Sequence, residues 1–260
     1  MTTNRWLVAA LALGGIAGAQ PQAFSADMPA GTLVTKAPAA VLAYRWTGCY
    51  LGANVGAASD RATFADLNPL FPSSLDLGSA RATSALGGGQ IGCDYQAGNW
   101  VFGLQGMGEA TSLRGTSHYL PGPTDPRLNN IYDTSSRISS VVTATARLGY
   151  AIQPQVLIYA KAGGAWMRST LDYTVNGMGV TFPYTGSETR TGWTAGGGVE
   201  FLIAPNWSVF AEYNYIDFGA KTVSLQGNGG AVPPGATQPI QVNHRIDTAM
   251  FGVNYRFGSP

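Results

Sequence analysis

The sequence predicts an all-β protein, an eight-stranded antiparallel up-and-down transmembrane β-barrel with short periplasmic turns and long outer loops. Three observations point there. The chain opens with an export signal, and no later apolar run is long enough for a membrane helix. Its body is a series of segments that alternate with period two, a small or polar face against an apolar one. The connections between these segments alternate between short and long, which a soluble sandwich has no reason to do.

Composition narrows the class further. Only 11% of the 260 residues are charged, against about 25% in soluble domains. A net charge of +1 gives no reason to expect nucleic acid. Two cysteines are too few for a disulfide scaffold or a cysteine-rich zinc site. No P-loop, His-Glu-x-x-His or other metal or cofactor motif occurs, and Gly87-Gly88-Gly89 has no helix after it to form a nucleotide loop. No cofactor and no metal are expected.

Residues 1–26 read as a signal peptide. Arg5 supplies the positive start, and the run from Trp6 to Ala19 is apolar or glycine throughout. Cleavage is expected after Ala19 or after Ala26. Residues 27–45 are rich in Ala and Pro without periodicity and read as a flexible periplasmic leader. Residues 46–260 form the barrel, because only helices and closed barrels satisfy every backbone group in lipid.

The first strand is expected at 46–57, with Gly48, Tyr50, Gly52 and Asn54 on one face and Cys49, Leu51, Ala53 and Val55 on the other. A polar segment, 58–83, leads to strand two at 84–96, where Gln90 and Asp94 oppose Ile91 and Cys93. Strand three, 100–113, sets Gln105 and Glu109 against Phe102 and Leu104. After a second long segment, 114–135, strand four (137–152) sets Thr143, Thr145 and Arg147 against Val142, Ala144 and Leu148. Strand five, 156–173, carries Lys161 opposite Ile158 and Trp166. A third long segment, 174–188, precedes strand six (189–203), with Glu200 opposite Trp193 and Val199. Strand seven, 207–223, has Glu212 and Asn214 opposite Val209 and Tyr213. A Gly/Pro-rich segment, 224–240, leads to the last strand at 246–257, whose Phe251, Val253, Tyr255 and Phe257 oppose Asn254 and Arg256. The first and last strands are expected to pair, because an open edge cannot survive in lipid.

Two patterns favour a membrane. Aromatic residues fall at two levels, as girdles at the two interfaces do: Trp46, Trp100, Trp207, Tyr255 and Phe257 at the short-turn end, Trp166 and Trp193 ten residues away from it. Ten residues at ~3.3 Å rise and ~40° tilt span about 25 Å, the height of the apolar band. Arg147, Lys161, Glu200, Glu212 and Arg256 all fall on polar faces. Asp94, Glu109, Arg147, Lys161, Glu200, Glu212 and Arg256, with Gln105, are expected to form a salt-bridged layer across the lumen near its periplasmic third, because an unpaired buried ion is very costly. Arg256 is expected to meet Glu200, Glu212 or Asp94. The layer reads as a plug rather than a gate, since eight strands leave an interior mostly filled by side chains.

The motifs Trp46-Thr-Gly-Cys-Tyr-Leu-Gly-Ala-Asn-Val-Gly56, Gly87-Gly-Gly-Gln-Ile-Gly92, Ala146-Arg-Leu-Gly-Tyr150, Glu212-Tyr-Asn-Tyr and Gly252-Val-Asn-Tyr-Arg-Phe257 together resemble the alpha-proteobacterial outer-membrane immunogenic proteins, small porin-family barrels of the OmpA-like group. The resemblance spans nearly the whole mature chain. It implies an eight-stranded outer-membrane barrel in a Gram-negative bacterium, with N- and C-termini in the periplasm, outer-membrane lipid and the barrel-assembly machinery as partners, and roles in envelope integrity and host or environment contact at the loops. Two departures stand out. Cys49 occupies a position where the family usually has an aromatic, and Gly258-Ser259-Pro260 follow the terminal Phe257 that the assembly machinery reads.

Cys49 and Cys93 lie at matching distances from the short-turn ends of adjacent strands, on the lipid face. They form a candidate cross-strand disulfide; the alternative is two small apolar residues facing lipid. His118 is expected in a loop and His244 near the outer end of strand eight, with no Ser/His/carboxylate set placed by spacing. The charged residues Asp60, Arg61, Asp66, Asp76, Arg81, Arg114, Asp125, Arg127 and Asp133 are expected in hydrated loops. The function expected is structural and surface-interacting, not enzymatic. The alternatives are a narrow porin for small solutes and, behind it, a lipid-modifying barrel enzyme.

Overall fold

The structure, a computed structural model, describes residues 45–67, 75–120, 130–177, 179–233 and 235–257. The expected signal peptide, the expected leader up to residue 44 and residues 258–260 lie outside the described residues, as do Asp125 and Arg127.

Eight strands form one closed antiparallel ring: β1 (Gly48–Asp66), β2 (Leu75–Ala97), β3 (Trp100–Tyr119), β4 (Asn130–Gln153), β5 (Val156–Gly177), β6 (Val180–Ala204), β7 (Trp207–Gly227) and β8 (Thr237–Phe257). Each pairs with its sequence neighbours, and β1 pairs with β8 from Cys49↔Phe257 to Asp66↔Ile240. That last pairing removes the only free edges the sheet would have.

At one end, three two-residue turns join the strands at 98–99, 154–155 and 205–206. The first uses Gly98 in the left-handed region, at φ +62°. The described chain also begins and ends here.

The other end differs from the sequence expectation. The long polar segments are mostly strand. The 174–188 segment is a tight hairpin in which Gly177 pairs with Val180. The strands run to between 19 and 25 residues, although about ten suffice to cross a bilayer. The physical reason lies in their outward faces. Beyond the apolar band the outward face meets water and turns polar, so the ladder continues while its hydropathy resembles a loop's. Asp60, Arg61, Asp66, Asp76, Arg81, Arg114, His118 and Asp133 therefore sit in strands, not loops.

The register sets the tilt. Cys49 leads by strand pairing to Cys93, Leu104, Ala146, Ala162, Ala195, Tyr215, Asp247 and back to Ser59, so one circuit climbs ten residues. Tilted strands in an eight-membered ring leave an interior that side chains fill. Leu51, Ile91, Leu104, Val142, Ile158, Val199, Val209 and Phe251 face outward and are exposed. Inside, apolar and polar layers alternate. Val101, Leu157 and Leu202 close the short-turn end. A belt around Met107, Val141, Met167, Phe210, Ile216 and Met250 fills the middle. A third cluster, around Phe64, Leu77, Leu171, Ile240 and Val242, lies beyond it.

Gly198 shows how closely this interior is fitted. A Cβ there would meet the carbonyl of Ala211 and stand 2.7 Å from the Tyr159 hydroxyl oxygen. Gly198→Val is expected to lower the unfolding free energy of the folded barrel by about 1–3 kcal/mol through overpacking. Urea titration followed by tryptophan fluorescence measures it; an unchanged midpoint would mean that Tyr159 moves aside freely.

Candidate functional site in the barrel lumen

The charged side chains inside the barrel come from strands that are far apart in sequence but brought level by the tilt. Arg147 on β4 points across the lumen to Glu200 on β6, its Nη2 bonded to Oε2. Both side chains are 1% exposed. The guanidinium of Arg147 stacks 3.7 Å from the Tyr159 ring centroid, and Nη1 donates to the Tyr50 hydroxyl at 3.3 Å. Arg256 on β8 bridges two carboxylates through Nη2, reaching Asp94 Oδ2 at 2.8 Å and Glu200 Oε1 at 3.1 Å. Arg147 Nη1 lies 3.6 Å from the same Asp94 oxygen. A second centre joins Lys161 to Glu212 at 2.6 Å. Lys161 also donates to Gln105 Oε1 at 3.0 Å, and the Tyr159 hydroxyl donates to Glu212 Oε2 at 2.8 Å.

Neutral groups complete the layer. Asn54 donates to Gln90 at 2.7 Å, Gln90 to Asn254 at 2.7 Å, and Asn254 to Glu200 at 3.1 Å. Ser208 adds a bond to Glu200 at 2.5 Å, and Asn214 one to Glu212 at 2.8 Å. Three cations thus face three carboxylates, with hydrogen bonds from neutral neighbours around them, while Asn54 Oδ1, Asp94 Oδ1, Arg147 Nε, Asn214 Oδ1 and Arg256 Nε are buried without a hydrogen-bond partner among the described residues. The pairing is what makes burying these charges tolerable.

Glu109, expected in this layer, borders it on the outer side. It is buried in the lumen and makes no ion pair among the described residues. It lies four residues beyond Gln105 and two beyond Met107 on β3, both of which Lys161 Nζ reaches, at 3.0 and 2.9 Å. The partners of Arg256 are Asp94 and Glu200, not Glu212.

The tryptophans divide. Trp100, Trp207, Tyr255 and Phe257 face outward at the short-turn end, with Trp100 against Tyr150 at 5.2 Å and Trp207 against Tyr255 at 5.1 Å between ring centroids. Trp166 and Trp193 face outward at the opposite level. Trp46 does not belong to either girdle. It is 0% exposed and lies under Arg256, whose guanidinium carbon is 4.9 Å from its ring centroid and whose Nη1 donates to its carbonyl at 2.8 Å. Trp46 precedes β1, which starts at Gly48, and it packs in the lumen mouth under Arg256 instead of lying on the outer face.

Cys49 and Cys93 are directly opposed across β1 and β2, with a Cα–Cα distance of 3.9 Å and sulfurs 2.09 Å apart. Both face outward. His118 is exposed on β3 and bonds Asp133 through Nδ1. His244 is buried further up the lumen, with Nδ1 2.9 Å from Asp60 Oδ2. Sequence spacing gave no hint of this pair, whose members are 184 residues apart and meet only because β1 closes on β8. Tyr50 and Tyr159, which flank Arg147, were detectable by parity but carried no charge to draw attention to them.

The family profile described as "Outer membrane protein beta-barrel domain" matches residues 9–257. The 31 kDa outer-membrane immunogenic protein of Brucella melitensis is 25% identical over 246 residues, covering 90% of this chain and 95% of that protein. The 25 kDa outer-membrane immunogenic protein of the same organism is 26% identical over 238 residues, covering 90% and 91%. Among solved structures, the outer membrane protease OmpT of Escherichia coli superposes with a TM-score of 0.50 at 10% identity, covering 81% of this chain and 97% of that one. At that identity the likeness is one of fold.

Proposed function

The chain belongs to the outer membrane protein beta-barrel domain family, and from that premise we propose that it serves as a structural barrel with a plugged lumen, not as a pore or an enzyme. Its short turns and both termini face the periplasm, where the barrel-assembly machinery would receive it. Its long strand ends and outer connections face outward for contact with host or environment.

The observation that carries this reading is the paired layer of Arg147, Arg256 and Lys161 with Glu200, Asp94 and Glu212. An ion crossing the lumen would have to part these pairs, each held by further hydrogen bonds, and then pass the apolar belt around Met107, Phe210 and Met250. Neither step is cheap for charges that are buried and paired.

Planar-bilayer recording tests the reading. The refolded full-length protein is expected to leave the membrane at baseline conductance. Steady ohmic steps would favour the narrow porin instead. Lipid turnover that disappears in His244→Ala would favour the enzyme.

A further inference from the structure

Six outward-facing arginines gather at one level of the barrel. Arg61 on β1 lies across from Arg81 on β2 and from Arg245 on β8. Arg114 on β3 lies across from Arg137 on β4, whose other partner, Thr170, is two residues from Arg168 on β5. All six are exposed. The register climbs ten residues per circuit, so each step round the ring raises the facing residue by a little over one position. Corrected for that climb, the six fall within about two residues of one height. They form an arc over six adjacent strands, from β8 through β1 to β5. The arc stops at β6 and β7, where Thr191 and Asp217 occupy this height.

The level is informative. Arg168 is two residues beyond Trp166 on the same face, and Arg245 is in register with Asp217, which is in register with Trp193. Two residues amount to about 5 Å of height at ~3.3 Å rise and ~40° tilt. The arginines therefore sit just above the outer aromatics, at the depth of lipid headgroups.

Their electrostatics call for anions. Like charges directly opposite on paired strands repel, and Arg61 has one on each side. Arg245 Nε has Asp217 Oδ2 at 3.4 Å. The other five make no ion pair among the described residues. Guanidinium groups match phosphate oxygens two at a time. Immediately below the arc the face carries Ser59, Thr83, Ser112 and Asp247, and below these it is apolar, with Val55, Ile91, Leu104 and Phe251, so a partner with phosphates at the arc and acyl chains further down would satisfy both surfaces at once. We propose that this arc binds the phosphorylated headgroups of a glycolipid in the outer leaflet. The proposal rests on the outward orientation given under the proposed function, and it adds the residues and the headgroup chemistry.

The test uses the refolded full-length protein, with its heat-modifiable gel migration checked first. Binding is titrated with bisphosphorylated lipid A, with dephosphorylated lipid A, and with inorganic phosphate as competitor. The bisphosphorylated form is expected to bind about a hundredfold tighter to the wild type than to the triple variant Arg61→Gln/Arg81→Gln/Arg245→Gln, at roughly fivefold per cation near an anionic surface. Arg114→Gln/Arg137→Gln/Arg168→Gln is expected to lose as much. Dephosphorylated lipid A is expected to bind the wild type no better than the triple variants bind the bisphosphorylated form. Equal binding of the two lipids to the wild type overturns the proposal without needing any variant, as does unchanged binding by both triple variants. Displacement by millimolar inorganic phosphate would make the arc a small-anion site and also overturn it. If a triple variant loses heat-modifiable migration, Arg61→Gln, flanked by arginine on both sides, carries the test with an expected fivefold loss. Loss of that migration in the wild type would defeat the barrel reading itself, a different failure from an intact barrel that ignores phosphate.

Discussion

Arg147→Ala is expected to lower the unfolding free energy of the folded barrel by about 3–5 kcal/mol, the cost of breaking a buried pair by removing one partner. The arginine is held by Glu200 and Tyr50, lies within ion-pair distance of Asp94, and stacks on Tyr159. Its loss leaves two carboxylates to share Arg256 and opens a void beside Tyr159. The double variant Arg147→Met/Glu200→Gln is expected to recover much of that loss. It keeps volume, leaves Arg256 with Asp94 as a one-to-one pair, and preserves an amide oxygen for Ser208 and Asn254. Urea titration of the protein in vesicles, with tryptophan fluorescence as readout, measures both variants and the coupling between them. A single variant that unfolds at the wild-type midpoint would mean that water, not protein, solvates this layer.

The second large effect concerns Cys49 and Cys93. We propose that they are bridged in the exported protein, where the compartment is oxidising. Intact mass should rise by two hydrogens on reduction. Reduction, or Cys49→Ala/Cys93→Ala, should lower the unfolding free energy by about 2–4 kcal/mol. The crosslink closes a span of 44 residues, and its main action is to restrict the unfolded chain. The position adds a reason for the effect to be felt. Cys49 also stands opposite Phe257, so the bridge anchors the strand on which barrel closure depends. An unchanged mass under reductant would remove the bridge from this account.

Much of this architecture was legible from alternation alone. Asp94, Arg147, Lys161, Glu200, Glu212 and Arg256 were assigned to the inner face because each shares parity with small or polar neighbours. Parity says nothing about height, however. Glu109 has the right face but sits at the outer border of the layer without an ion pair among the described residues, a height set by tilt and register, which a sequence does not carry. Trp46 shows the converse: its place before a strand suggests an interface aromatic, yet it packs inside under Arg256, a contact made only because β1 closes on β8. The strand extensions were missed for a solvent reason. Segments such as 174–177 and 180–188 are strand, but above the bilayer both faces contain polar residues, and the hydropathy contrast that marks a strand in lipid fades. His244 and Asp60 could not be joined before the ends of the sheet were known to meet.

The length of the strands has a mechanical consequence. From Trp166 to the end of β5 at Gly177 is eleven residues, which at ~3.3 Å rise and ~40° tilt carries the ladder roughly 25 Å beyond the outer tryptophans. Across β4, β5 and β6 the ladder reaches that height, while β2 pairs with β3 only up to Leu86↔Thr111 and β6 parts from β7 between Thr185 and Trp193. The extension is thus a stiff wall on one side of the barrel with two open seams, and an added protease is expected to cut at those seams and at the connections before it cuts the β4–β5–β6 wall.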